Sequence, residues 1–246
     1  MLRNLKLTIE YDGTDYCGWQ IQPNGPSVQQ TIEKALQTMT RQKITLIGSG
    51  RTDAGVHALG QTAHFTCDST IEPEAFLKGL NSLLPGDIVI RQCSEVDPSF
   101  HARYHVSSKT YRYRIRNHPL PAAIGRQYEW WIRRPLDVAA MQSAAKHLIG
   151  KKDFKAFEGT GSPRAHTIRT VSDATIHRET GDRIVFEIKA DGFLRYMVRN
   201  IVGTLTAVGT GALVPDDIIS ILDSRDRSRA GATAPARGLC LIEVVY

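Results

Sequence analysis

Cysteine is scarce: four occur in 246 residues, Cys17, Cys67, Cys93 and Cys240. They form no C-x-x-C pair, and no histidine stands at zinc-finger spacing from them. That excludes a disulfide-stapled secreted scaffold and points away from a metal site, leaving small buried thiols as the expectation. Long apolar runs are missing as well. No window approaches ~18 consecutive apolar residues, and the first eight positions read as a strand, so neither a membrane span nor a signal peptide is expected and the location expected is cytoplasmic. Glycine and proline, at 20 and 11 residues, are too few and too irregular for collagen or a low-complexity polymer. What remains is an ordinary globular composition, 41% hydrophobic and 23% charged, long enough for one large domain or two. The net charge of +6 is mild and favours an anionic partner without identifying one.

Periodicity organises the chain. Residues 3–11 alternate, with Leu5, Leu7, Ile9 and Tyr11 on one face, which is a strand signature. After a Gly/Pro-rich loop, Ser27 stands as an N-cap with Gln30 three positions on, and Val28, Ile32, Ala35, Leu36 and Met39 fall on one stripe of a 3.6-residue period. This predicts a helix over about 27–41. Strands follow at 44–48 and about 60–66, then a helix opened by Pro73 and ended near Pro85, then a strand over 87–96. The second half repeats the order: a strand at 107–116, a helix from Asp137 to about Ile149, strands near 168–177 and 183–190, and a helix near 193–209. A further helix near 215–223 and the apolar segment GLCLIEVVY, 238–246, complete it. The expected fold class is therefore α+β, two β-α-β-β-α-β (ferredoxin-like) halves, 1–105 and 106–246, with mainly antiparallel sheets and a cleft between them. Segment 158–167, EGTGSPRAHT, reads as a mobile loop able to close on a ligand.

The window 48–61, GSGRTDAGVHALGQ, places Arg51, Asp53 and His57 among four glycines between two strands. Glycines there allow positive φ and close approach of a ligand to the main chain. No Lys-Ser/Thr ending makes it a phosphate P-loop, and it is not GxGxxG opening a helix. On spacing alone, a tight loop with Asp53 capping its own turn is the favoured reading.

The residues themselves resemble a family. GRTDAGVHA around Asp53 is similar to the catalytic loop of the TruA-type tRNA pseudouridine synthases, and the likeness runs across nearly the whole chain. It includes KLTIEYDGTDYCGWQ at 6–20, SVQQTIEKAL at 27–36, GLNSLLPGDI at 79–88 and FHARYHVSSKTYRYRI at 100–115. In the second half it includes DFKAFEG at 153–159, FLRYMVRNIVGTL at 193–205 and TAPARGLCL at 233–241. Cys240, where an aromatic is often found, and the 117–130 connection depart from the pattern. The resemblance implies a pseudouridine-synthase-like fold and a cofactor-free, metal-free isomerase. It would convert uridine to pseudouridine at positions 38, 39 and 40 in the anticodon arm of tRNA, and would act as a homodimer.

Carried onto this sequence, the resemblance makes Asp53 the essential carboxylate, Arg199 its partner and Tyr111 the active-site tyrosine whose ring contacts the target base. Arg51 would help hold that nucleotide out of the stack. The chemistry accounts for the residue types. A C–N glycosidic bond must break and the uracil must rejoin the ribose through C5; a carboxylate can assist covalently or by taking a proton from the sugar. Both roles need it ionised, which a guanidinium neighbour favours. Extruding the nucleotide costs a few kcal/mol, so a side chain must support the gap it leaves.

Each residue also has a plain structural reading. Arg199 follows Arg195 by four positions on the expected 193–209 helix and would suit a solvated face. Tyr111 shares a strand face with Tyr113 and Ile115 and would suit a core. Arg112, Arg114 and Arg116 on the opposite face, and Lys109 two residues before Tyr111, suit either phosphates or a charge-guarded edge. His57 and His64 are read as hydrogen-bonded structure, and Asp12, Asp15, Trp19 and Gln20 as support near the first strand. An RNA-binding protein without chemistry is the leading alternative function. A glycoside hydrolase fits less well, since it ordinarily needs two acids and the loop has Asp53 alone.

Overall fold

The alternation at the N-terminus becomes β1 (Leu2–Tyr11). Leu5, Leu7, Ile9 and Tyr11 are all buried, as period-two patterning requires of a strand with one face on a core. This computed structural model describes residues 2–159, 161, 166–179 and 181–246. They form two compact units, Met1–Ser107 with Leu241–Tyr246, and Ser108–Cys240. The segment 241–246 thus groups with the first unit.

In the first unit, β1 lies antiparallel between β3 (His57–Asp68) and β4 (Ile88–Val96), and the short β2 (Ile47–Gly48) pairs with β3. The helices α1 (Val28–Thr40) and α2 (Pro73–Leu83) cover the sheet. Ser27 caps α1 as its sequence predicts, its hydroxyl accepting from Gln30 N at 3.3 Å. The helix ends at Arg41 in the left-handed region (φ 59°), which returns its N–H to the Gln37 carbonyl at 2.9 Å. Val28, Ile32 and Leu36 of α1 and Phe76 and Leu80 of α2 are fully buried, with the Phe76 ring edge-on to Phe65 at 5.6 Å.

Two register shifts shape this sheet. Thr8 pairs with Gln92 but Ile9 with Ile90, so Arg91 is an extra residue in β4. Asn81 of α2 answers the disruption: its Oδ1 accepts from Ile90 N at 2.8 Å and its Nδ2 donates to Ile90 O at 2.9 Å. On the other side, Ile9 pairs with Gln61 and Tyr11 with Ala58, so β3 is bulged where it leaves the 49–56 loop.

The second unit runs β5 (Ser108–Asn117), β9 (Arg183–Ala190), β8 (Ile168–Arg178) and β7 (Gly150–Asp153), each antiparallel to the next. A three-residue β6 (Trp130–Ile132) lies parallel to β5. Neither β6 nor β7 is legible in the sequence, since three or four residues carry too little periodicity. The helices are α3 (Val138–Lys146), α4 (Met197–Gly209) and α5 (Asp217–Ser224), and β10 (Leu239–Val245) leads out of this unit into the first. Antiparallel pairing prevails in a mixed α+β chain, as expected.

The helix expected over 193–209 begins four residues later. Tyr196 holds the left-handed conformation (φ 59°) and cannot continue a helix backwards, so α4 starts at Met197. Arg195 therefore lies outside it, and does not share a helix face with Arg199. Gly203 is packed instead: a Cβ there would stand 1.6 Å from Ala232 O. Helix α4 is buried almost all round, down to Asn200 and Thr204 at zero exposure. Of the cysteines only Cys67 is buried; Cys17, Cys93 and Cys240 are half-buried, so the buried-thiol expectation holds for one of four. Positions 160 and 162–165 of the 158–167 loop lie outside the described residues. Among the described residues no helix is long and apolar enough to cross a membrane, and no three His, Cys, Asp or Glu side chains cluster to hold a metal ion.

Segment 97–105 is tied to β3 by His64, whose Nδ1 accepts from Ala102 N at 3.1 Å. Burial, and then the neighbouring His101, lower the His64 pKa below its ordinary 6.5, opposed by a bond to the Ile47 main chain. The unfolded chain thus binds this proton at a higher pH than the folded one, so the stabilisation is whole above about pH 6.5 and is lost as pH falls. Urea melts should show stability declining from pH ~7.5 to ~5.5, with His64→Asn, which keeps an acceptor but does not titrate, flattening the decline. An unchanged slope in that variant would show that other groups govern it.

Candidate active site

The loop 49–56 is held from below by buried polar contacts. Ser49 N donates to Thr62 O at 2.7 Å, Ser49 Oγ to Gln61 Oε1 at 2.6 Å, and Gln61 Nε2 to Gly50 O at 3.2 Å. Gln61 is completely buried, so these bonds are shielded from water. Trp19 packs where a Cβ on Gly48 would stand 2.6 Å from its ring, and Trp19 N donates to Thr52 O at 3.1 Å. The Thr52 hydroxyl shares a hydrogen with Tyr11 OH at 2.8 Å. Thr52 is therefore buried between Arg51, which is exposed, and Asp53, which is half-buried.

Main-chain contact fixes Asp53 itself. Its carbonyl accepts from Val56 N at 3.2 Å, closing a turn through Gly55 at φ 76°. Gly55 N in turn donates to Tyr16 O at 3.3 Å. Gly18, at φ 102°, lies so close that a Cβ would meet Thr52 O at 2.5 Å and the Asp53 carbonyl carbon at 3.0 Å. A Cβ on Gly13 would meet Val56 O at 2.0 Å. Past the turn, His57 Nδ1 accepts from Gly13 N at 3.1 Å and lies 3.0 Å from Asp12 Oδ1, which itself accepts from Thr14 N and Oγ1. The 11–19 segment is thus the mould for the loop. Asp12 and Trp19 act in it as the sequence suggests, Asp15 and Gln20 are exposed, and Tyr11, Gly13, Tyr16 and Gly18 are supports the reading missed.

In the second unit Tyr111 lies on β5 opposite Ile188, only 9% exposed, with its ring edge-on to Phe193 at 5.1 Å. Tyr113, on the same face, is wholly buried and donates to Pro235 O at 2.7 Å, and burial raises its pKa. The two tyrosines are thus distinct: Tyr113 ties the strand to 235, while Tyr111 packs edge-on against Phe193. Of the opposite arginine face, Arg112 pairs with Glu187 at 2.8 Å and Arg116 with Asp182 at 3.6 Å.

Arg199 sits in the first turn of α4, half-buried. Its Nε donates to Ala234 O at 2.8 Å, and its carbonyl accepts from Ala234 N at 3.1 Å. Its guanidinium carbon lies 5.0 Å from the Tyr196 ring centre, and that of Arg195 lies 4.7 Å from it. The strap 226–235 that carries Ala234 is itself locked. Buried Asn200 accepts from Arg227 Nη2 at 2.9 Å and Thr233 Oγ1 at 2.6 Å, and donates to Phe157 O at 2.8 Å. Gly231 N adds a bond to Thr204 Oγ1 at 2.8 Å. The motifs DFKAFEG, FLRYMVRNIVG and TAPARGL, distant in sequence, therefore converge on the seat of Arg199. Asp53 and Arg51 belong to the first unit, Tyr111 and Arg199 to the second.

A family model described as tRNA pseudouridine synthase matches residues 7–105 and 144–246. A tRNA pseudouridine synthase A of Acetivibrio thermocellus is 51% identical over 246 residues, covering both chains completely. One from Thermoanaerobacter pseudethanolicus is 47% identical over 245 residues, and a tRNA pseudouridine synthase A 2 of Clostridium perfringens is 48% identical over 246, both again over the full length of each chain.

The close approach at Gly18 can be tested on the loop directly. Gly18→Ala adds a methyl group against Thr52 O at a positive φ, so it should loosen the 49–56 loop while leaving α2 and β4 intact. Amide exchange at Trp19 and Val56 should rise by about tenfold or more with exchange in α2 unchanged. Unaltered protection at Val56 would show that the loop does not depend on this contact.

Proposed function

This chain belongs to the tRNA pseudouridine synthase family, and on that premise we propose that it isomerises uridine to pseudouridine at positions 38, 39 and 40 of the tRNA anticodon arm, with Asp53, Tyr111, Arg199 and Arg51 at the reacting nucleotide. It is accordingly an isomerase that acts on uridine in tRNA. What carries the finer reading is the intact GRTDAGVHA loop, seated by main-chain contact, in a chain about half identical over its whole length to proteins named for this reaction.

In the proposed mechanism tRNA docks chiefly through its phosphates, which makes affinity fall with salt. The target nucleotide leaves the stack and Arg51, exposed beside Asp53, supports the vacated position. Asp53 acts as its carboxylate, with the Arg199 guanidinium holding its charge and orientation. The C1′–N1 bond breaks, the uracil turns, a C1′–C5 bond forms, and the C5 proton is lost as N1 gains one, so the product is an isomer. The Tyr111 ring holds the base, and its hydroxyl takes the C5 proton as it passes its own to solvent, from which N1 is protonated. The same reading includes a cytoplasmic homodimer, supported by the family relation and checked by sedimentation.

The direct test uses tRNA transcribed with 5-³H-uridine. Tritium should be released by the wild-type chain, with pseudouridine mapped to positions 38–40. Binding without release would favour an RNA-binding module, and product elsewhere would overturn the positions. A second variant probes the tyrosine. Tyr111→Phe keeps the ring and loses the hydroxyl, so tRNA affinity should persist while kcat falls; unchanged kcat would reduce Tyr111 to packing.

A further inference from the structure

The segment 97–107 of the first unit presents an aromatic surface that the reaction at Asp53 does not use. Tyr104 is 74% exposed, yet its ring is not loose: it stacks on His101 with ring centres 4.2 Å apart and planes 24° apart. His101 is fixed in turn. Its Nδ1 accepts from Arg103 N at 3.2 Å and Tyr104 N at 3.3 Å, and its other neighbour is the buried His64 ring at 4.8 Å. Beneath, Ala102 is clamped on both sides, its N–H to His64 and its carbonyl to Tyr246 OH at 2.8 Å. Phe100 packs on Tyr246 at 4.9 Å, and Lys6 Nζ lies 5.8 Å from the Phe100 ring centre and 5.9 Å from that of Tyr246. The result is a ladder, His64, His101, Tyr104, that begins in the core and ends in solvent with one tyrosine face open.

Charge indicates what that face meets. Arg103 and His105 flank Tyr104 and are exposed. The acids nearest in sequence are engaged: Asp97 accepts from Ser99 Oγ and N, which lowers its pKa, and Glu95 pairs with Arg3 at 2.8 Å. An ordered aromatic face beside an exposed guanidinium suits a flat π-system attached to an anion. An unpaired nucleotide of RNA has that make-up, its base for Tyr104 and its phosphate for Arg103. We propose that Tyr104 is a stacking platform for an unpaired base of the bound tRNA, outside the reacting nucleotide, with Arg103 on the adjoining phosphate. This rests on the tRNA substrate proposed above but not on the role of Asp53. A second copy of the chain is the competing occupant, because an exposed tyrosine also suits a protein interface.

Equilibrium binding of the full chain to unmodified tRNA transcript tests it. Tyr104 is exposed, so its variants should fold normally. Tyr104→Ala should weaken binding about tenfold with an unchanged salt slope, Tyr104→Phe should keep wild-type affinity, and Arg103→Ala should reduce the slope by about one. Tyr104→Trp reports stacking directly: its added emission over wild type should be quenched by tRNA. Binding of Tyr104→Ala within about twofold of wild type, or added emission from Tyr104→Trp that tRNA leaves unmoved, would overturn the proposal. So would a Tyr104→Ala chain whose lost affinity tracks a change in sedimentation, which would assign the face to another copy. If wild type releases no tritium while these results hold, the reading of Asp53 fails and the platform stands.

Discussion

The candidate active site depends on a contact that hydrogen alone can make. Gly18 meets the Thr52–Asp53 peptide, and Gly13 the Val56 carbonyl, at distances that no side chain would allow. Around those approaches the loop is bonded to 11–19 by Trp19 N, Gly55 N and the Tyr11–Thr52 hydroxyl pair. The loop that carries Asp53 is thus held by main-chain approaches together with buried polar side chains. Small displacements of the loop move the carboxylate directly.

Arg199 is set by a different device with the same logic. Reciprocal bonds with Ala234 fix the first turn of α4, and the strap bearing Ala234 is locked by the buried Asn200. Asn200 satisfies three partners, Phe157, Arg227 and Thr233, at zero exposure. Removing one member of so buried a network leaves the others unpaired, at about 1–3 kcal/mol each. Both proposed charges thus project from segments whose own polar groups are bonded, which suits groups that must hold a geometry through a reaction.

Much of this was legible in advance, for physical reasons that differ by element. The alternation in β1 and the capped stripe of α1 come from burial of one face, which sequence displays directly, and Ser27 caps where its spacing says. The start of α4 lies later than expected because apolar Leu194 falls in step with Met197, Val198 and Ile201, while the left-handed Tyr196 that breaks the helix carries no sequence signal. Strands β6 and β7 are too short to show a period. At the site, Asp53 and Arg51 stood out through their glycine-rich loop and the family resemblance. Gly18, Gly13, Tyr11 and Asn200 did not, because their roles are contacts between distant segments, and those exist only once the chain is folded.

Everything proposed for the reaction turns on Asp53 as its carboxylate. The measurement that tests this most directly compares Asp53→Asn with wild type for turnover and tRNA affinity in parallel. Asn keeps the size and removes the charge, so isomerisation should vanish while affinity stays within about tenfold, because phosphate contacts supply most of the binding. Full turnover by Asp53→Asn would contradict that role.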